Sequence, residues 1–240
     1  MEGSCKQHTL AVTAQLYENH CHLLAMADMT GTVLRMSGVP EYINLYLSCM
    51  PMVDGCVTTV TQSIAYCTQQ ALGLETKETY PYERTTRGIK DFNEKHYQRE
   101  WWKQRYRISR IDQILFKEKE QMKIMLTANF GPDGKKYPCV GILCMGKVFI
   151  DGEYARRCAV NNEPYKHPEE PKSVEHAVEL YGPEHSVLIV GVNTLTDGKH
   201  YCEIKNTYGE EWGDCGFSKV GFEVFNSVLF PTLELPVKKK

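Results

Sequence analysis

Apolar side chains recur at helical spacing in three stretches of the chain. Within 21–36, Leu23, Leu24, Ala27 and Leu34 repeat at that spacing and Gly38 follows as a stop signal, which predicts a buried helix starting close to Cys21. Over 57–72, Val57, Val60, Ile64 and Ala71 predict a second helix with Gly73 as its C-cap. Tyr80-Pro81-Tyr82 then marks an extended break. A third helix is predicted from an Asp112 N-cap to about Leu126, turning Ile114, Leu115, Met122, Met125 and Leu126 inward.

After Gly131-Pro132-Asp133-Gly134 the texture becomes that of strands, predicted over 139–150 and 216–220. Between them, the apolar run 187–192 and the strand-like 201–206 flank the turn signal Thr196-Asp197-Gly198-Lys199 and predict a hairpin. Antiparallel pairing sets the start of one strand beside the end of the other, so His185 and Asn206 should face each other. That arrangement can orient a general base. Residues 151–180, with Asn161-Asn162-Glu163-Pro164 and Pro168-Glu169-Glu170-Pro171, read as a polar insertion of loop character. Helices first and strands later imply an α+β fold.

Length and charge narrow this further. A chain of 240 residues and 27.5 kDa can bury one large domain or two packed lobes, and a net charge of -2 argues against nucleic acid as a whole-molecule partner. Residues 84–123 are locally basic, with 12 Lys and Arg against 6 Asp and Glu, and carry Trp101-Trp102-Lys103-Gln104-Arg105-Tyr106-Arg107. Without a binding motif this is a solvated face with anchoring aromatics. No apolar stretch approaches the roughly 18 residues of a membrane span, so no transmembrane helix is expected. The N-terminus lacks the basic start and apolar centre of an export signal. The ten cysteines include no C-x-x-C pair, and no N-x-Ser/Thr site is found, which points to a reducing, cytoplasmic setting for the chain as given. The alternative is a vacuolar, lysosomal or secreted protein whose signal has been removed.

Three stretches invite chemistry. The run from Gly141 to Val148 nearly matches a phosphate-binding loop, but Val148 replaces the required hydroxyl and the interior is apolar, so a buried strand is expected. His20-Cys21-His22 could ligate a metal, yet no second ligand cluster stands at a matching spacing, and neither metal nor cofactor is expected. At a helix start, Cys21 would have its thiolate stabilised and its pKa depressed; the plainer reading is a small residue packed in the core.

Several segments resemble the papain-like cysteine peptidases, from about Ala11 to Pro236. Gln15 stands six residues before Cys21; 73–83 matches the stretch after the helical-lobe subsites; 184–191 matches the histidine strand. Lys205-Asn206-Thr207-Tyr208-Gly209 with Trp212-Gly213 matches the asparagine motif, and 225–236 the closing segment. The resemblance implies a single papain-like domain over 1–240. Its helical lobe would span about 11–110 and its antiparallel β-barrel lobe about 111–240, with a cleft between. It implies Cys21 as nucleophile, ion-paired with His185, with Asn206 orienting the ring. Gln15 and the Cys21 N–H would hold the oxyanion, with Glu18 as competitor for the place of Gln15. It further implies Trp212 at the primed side, a peptide or protein substrate, and a cystatin-like inhibitor as partner.

The chain departs from the family at definite points. Glu18-Asn19-His20-Cys21-His22 replaces Cys-Gly-Ser-Cys-Trp, Thr58-Thr59 replaces the glycine pair that binds substrate backbone, and Tyr208 replaces a tryptophan. Cys49 and Cys56 lack their family partners, so those disulfides are expected to be absent. Only 20 residues precede Cys21, which implies a mature fragment or a protein without zymogen control. Two functions are therefore expected: a cysteine peptidase, or a catalytically impaired homologue that binds peptides or proteins.

Overall fold

The computed structural model describes residues 4–9, 11–15, 20–54, 56–69, 72–78, 106–161 and 163–234. Helix α1, Cys21–Met36, is the central element, and most of its residues between Cys21 and Leu34 are buried. It is apolar nearly all round because it packs on the sheet on one side and on a second helix on the other. A short helix α2, Met50–Asp54, follows strand β1, Leu47–Ser48, which pairs antiparallel with the later β2, Glu75–Thr76.

The second predicted helix is shorter than its pattern. Helix α3, Val60–Thr68, starts at a Thr59 capping box with Gln62 and ends where Gln69 turns extended, so Gly73 is not its C-cap. The third predicted helix departs further from its pattern. Asp112 caps nothing: it lies inside strand β3, Arg110–Leu115, where Ile111 and Ile114 are buried and Leu115 is exposed. Helix α4, Lys119–Phe130, begins only after a 3-10 turn and buries Met122 and Leu126. An Ile at 111, an Ile at 114 and a Leu at 115 fit a helical stripe as well as a strand, so periodicity alone misassigns them.

Strand β4, Cys139–Cys144, is fully buried, but the expected strand stops there and 147–150 forms a short helix, α5, Lys147–Ile150. The region 151–180 is not an irregular insertion. It holds α6, Gly152–Asn161, which buries Ala155 and Cys158, and α7, Val174–Tyr181, capped by the Ser173 side chain accepting from the His176 N–H. The Asn and Pro clusters mark the connection between two amphipathic helices.

Strands β5, Glu184–Thr194, and β6, His200–Lys205, form the expected hairpin, continued by β7, Phe217–Gly221, and β8, Phe225–Thr232. The six long strands are all antiparallel in the order β3-β8-β4-β5-β6-β7. No ladder joins β3 to β7 among the described residues, so the sheet is open where a closed barrel was expected.

Helix α1 lies on β5, bringing the Cys21 element onto the hairpin. Asp28 stands two turns after Cys21, and its carboxylate pairs with the buried Lys205 ammonium at the end of β6. The N-terminal segment crosses the sheet as a strap: the Cys5 N–H donates to Val190 O at 2.8 Å, and Ala14 bridges to Tyr208.

Candidate active site

The best-defined part of the site is the open end of the hairpin. His185 Nε2 lies 2.7 Å from Asn206 Oδ1, and both residues are buried, at 7% and 1% exposure. The Thr207 N–H also donates to Asn206 Oδ1, at 2.8 Å. A backbone N–H can only donate, so this bond fixes which end of the carboxamide faces the ring. It follows that His185 Nε2 carries the hydrogen and that Nδ1 of the neutral ring keeps its lone pair. The second residue of the hairpin and the residue after its last strand thus prepare a base.

Cys21 is the first residue of α1 and is 8% exposed. Its thiol adjoins Ser186, the residue after His185, and the ring of Tyr208 senses it electrostatically. The same Tyr208 ring packs on the His185 ring, with centroids 4.8 Å apart. Ser186 and Tyr208 therefore mark one region where the helix start and the hairpin end meet.

The electrostatics differ from the sequence-based expectation. Burial raises the Cys21 thiol above its ordinary 9.0, and this outweighs the lowering by the Ser186 backbone and hydroxyl and the His22 and Cys21 amides. Burial likewise lowers His185 from 6.5, against the opposing bond to Asn206. The helix start does act in the expected direction, but desolvation of a charged thiol is the larger effect. Burial thus works against charge on both groups, and so against the expected ion pair.

The remaining candidates take definite places. Gln15 is tied to the hairpin wall: its N–H donates to Thr207 O at 2.7 Å, and its Oε1 accepts from the Thr207 hydroxyl at 3.0 Å. With Oε1 engaged, the Nε2 end of the carboxamide is the end turned away from Thr207. Glu18 lies outside the described residues. Thr58 and Thr59 are exposed, but both backbone N–H groups donate to Gln62 Oε1, at 2.9 and 3.1 Å. They serve the start of α3, so the amides that the resemblance assigns to substrate are already bonded.

Trp212 is 4% exposed; it donates to Phe149 O at 3.3 Å and packs edge-on against that ring. It supports the loop after Asn206 from inside. Among the described residues no three His, Cys, Asp or Glu side chains converge on a metal position, His20 and His22 included. All ten cysteines are free thiols.

Sequence reasoning missed Ser186, the clamp made by Thr207, and the Asp28–Lys205 pair. Only the last had a signal: Asp28 follows Cys21 by two helical turns, and Lys205 immediately precedes Asn206.

No family model matches the sequence, and no curated protein matches it. Solved structures do. The chain superposes on the procathepsin L2 proteinase of the Tenebrio molitor larval midgut with a TM-score of 0.63 at 16% identity, covering 97% of this chain and 68% of that one. For procathepsin L 3 of the same source the TM-score is 0.67 at 14% identity, covering 97% and 69%. For bromelain from Ananas comosus, in complex with the E64 inhibitor, the TM-score is 0.61 at 14% identity, covering 97% and 99%. At such identities the likeness is one of backbone, and it is specific: the chain has the fold of the papain-like cysteine proteases.

Proposed function

We propose that the protein is a cysteine peptidase acting on peptides or proteins, with Cys21 as nucleophile, His185 as base and then acid, and Asn206 as the group that orients the ring. The observation that carries this reading is the buried His185–Asn206 bond, whose geometry leaves Nδ1 as an acceptor in the region that also holds the Cys21 thiol. Cys21 Sγ attacks the substrate carbonyl as its proton passes to His185 Nδ1. The leaving amine takes that proton as the acyl-enzyme forms, and water then releases the acid.

Burial works against charge on both groups, so in this proposal proton transfer accompanies attack instead of preceding it. The Gln15 Nε2 hydrogens and the Cys21 N–H are the proposed oxyanion donors, each worth about 3 kcal/mol of barrier when well placed. The helical wall and the hairpin wall flank the proposed cleft, and a cystatin-like inhibitor is the protein partner that suits such a cleft.

The test combines an epoxide peptide probe with mass spectrometry and a Cys21→Ala variant. The probe is expected to modify Cys21 in preference to the exposed Cys56 and Cys215, and the variant to fold but lose hydrolysis of a peptide library. Absence of a Cys21 adduct, together with unchanged hydrolysis by the variant, would overturn the proposal. Peptide binding without turnover by the unmodified protein would favour the binding-module reading.

A further inference from the structure

Beneath Asn206 lies a cavity of about 30 Å³, between α1 and the hairpin. Its lining includes Asp28, Lys77, Lys205 and Asn206. Asn206 is 1% exposed and its Oδ1 is taken by His185 and Thr207, while its Nδ2 is buried without a hydrogen-bond partner. A buried amide N–H₂ left unbonded is unfavourable, so an acceptor for it is expected. The oxygens of Asp28 are already engaged: Oδ2 by Lys205, and Oδ1 by the Thr32 hydroxyl at 3.2 Å, with Arg35 3.9 Å away.

Among the lining residues two ammonium groups therefore face one carboxylate, and Arg35 adds a further positive charge behind it. Much of the remaining wall is apolar, from Leu24, Ala25, Leu47 and Leu188, so the charged lining side chains carry more positive than negative charge into a largely apolar cavity. A water molecule has hydrogens of its own to donate; a halide only accepts. A volume of about 30 Å³ exceeds the roughly 10–15 Å³ that one water needs, so it suffices for one small ion.

We propose that this cavity is a binding site for a single monovalent anion of the halide class, chloride in physiological media, held by Lys77 Nζ, Lys205 Nζ and Asn206 Nδ2. The anion would bond the otherwise unpartnered Nδ2 and balance the charge between the Cys21 helix and the hairpin. The site concerns ion binding and stands independently of peptide turnover.

Two measurements on the whole protein test it. Crystals soaked in bromide are expected to show an anomalous peak within about 3.5 Å of Lys77 Nζ and Asn206 Nδ2, near hydrogen-bond range. Thermal unfolding in chloride is compared with unfolding in gluconate at equal ionic strength. The midpoint is expected to rise in chloride by about 3 °C for each tenfold excess of ion over its dissociation constant. Lys77→Met is expected to abolish the difference. A cavity holding water with no anomalous peak, or equal midpoints in the two salts, would refute the site. Because the bromide experiment uses the unaltered protein, poor folding of the variant does not blunt the test.

Discussion

Thr207 joins three parts of the candidate site through three different groups. Its N–H fixes the Asn206 carboxamide, its hydroxyl takes Gln15 Oε1, and its carbonyl accepts the Gln15 N–H. Removing the middle of this chain should be costly. Asn206→Ala is expected to lower kcat/KM about 10–100-fold, the equivalent of one buried hydrogen bond lost at about 1–3 kcal/mol. Nitrogen NMR of the His185 ring should show a mixture of tautomers in place of a single Nε2–H form. The pH response has a definite sign. A thiol raised above 9.0 and an imidazole lowered below 6.5 give no thiolate plateau at acidic pH, so Cys21 alkylation should quicken continuously from pH 6 to beyond 9.

The same shifts bear on stability. Below the unfolded histidine value of 6.5 the unfolded chain binds the extra proton, so His185 contributes stability above that pH and loses it as the pH falls. Chemical denaturation at pH 7.5 and 5.5, compared with His185→Gln, checks this: the variant should show a smaller difference. At this scale the sequence proposed Cys21, His185 and Asn206, and its strand pairing anticipated the contact between His185 and Asn206. It did not reveal the desolvation that sets their charge, because burial arises from contacts between distant segments.

At the scale of elements, strand patterns were legible wherever apolar runs were bounded by turn residues, as in the hairpin of β5 and β6. They failed at β3, whose buried residues are spaced three apart, and between 151 and 180, where helix faces of few apolar residues resemble loop. Gly141, at the start of the apolar 141–148 run, has a packing role. A Cβ at Gly141 would sit 2.3 Å from the Phe225 ring, so the residue lets β8 close on β4. Gly141→Ala should destabilise the protein by about 1–3 kcal/mol through overpacking, read from the urea midpoint. The Asp28–Lys205 pair joins α1 to β6 in a region where Lys205 is 5% exposed. Asp28→Ala should cost about 3–5 kcal/mol by leaving that ammonium uncompensated, and Asp28→Leu with Lys205→Met should recover most of it.

For the whole molecule, the distribution of thiols gives a direct check on the architecture. Eight cysteines are buried and two, Cys56 and Cys215, are exposed. A thiol reagent should titrate three groups in the native protein, the exposed Cys56 and Cys215 and the proposed nucleophile Cys21, and ten in denaturant; fewer than ten would reveal a disulfide. That the chain combines helices with a sheet was legible in the patterns along it, although helices α4 to α7 fall between β3 and β5, so the expected order of helices first and strands later is not kept. Closure of the sheet was not legible, because it depends on whether its outermost strands meet.

The sheet order also has a kinetic meaning. Strand β8 lies between β3 and β4, yet it follows both in the chain, pairing Arg110 with Thr232 and Val140 with Leu229. A ribosome would release β3 to β7 before the strand that unites them exists. Until β8 arrives, β4 offers a bare, apolar edge, and the wall bearing His185 rests on it. Folding should therefore be slow and late, limited by closure of very long chain loops, and nascent chains stalled before residue 225 should bind chaperones.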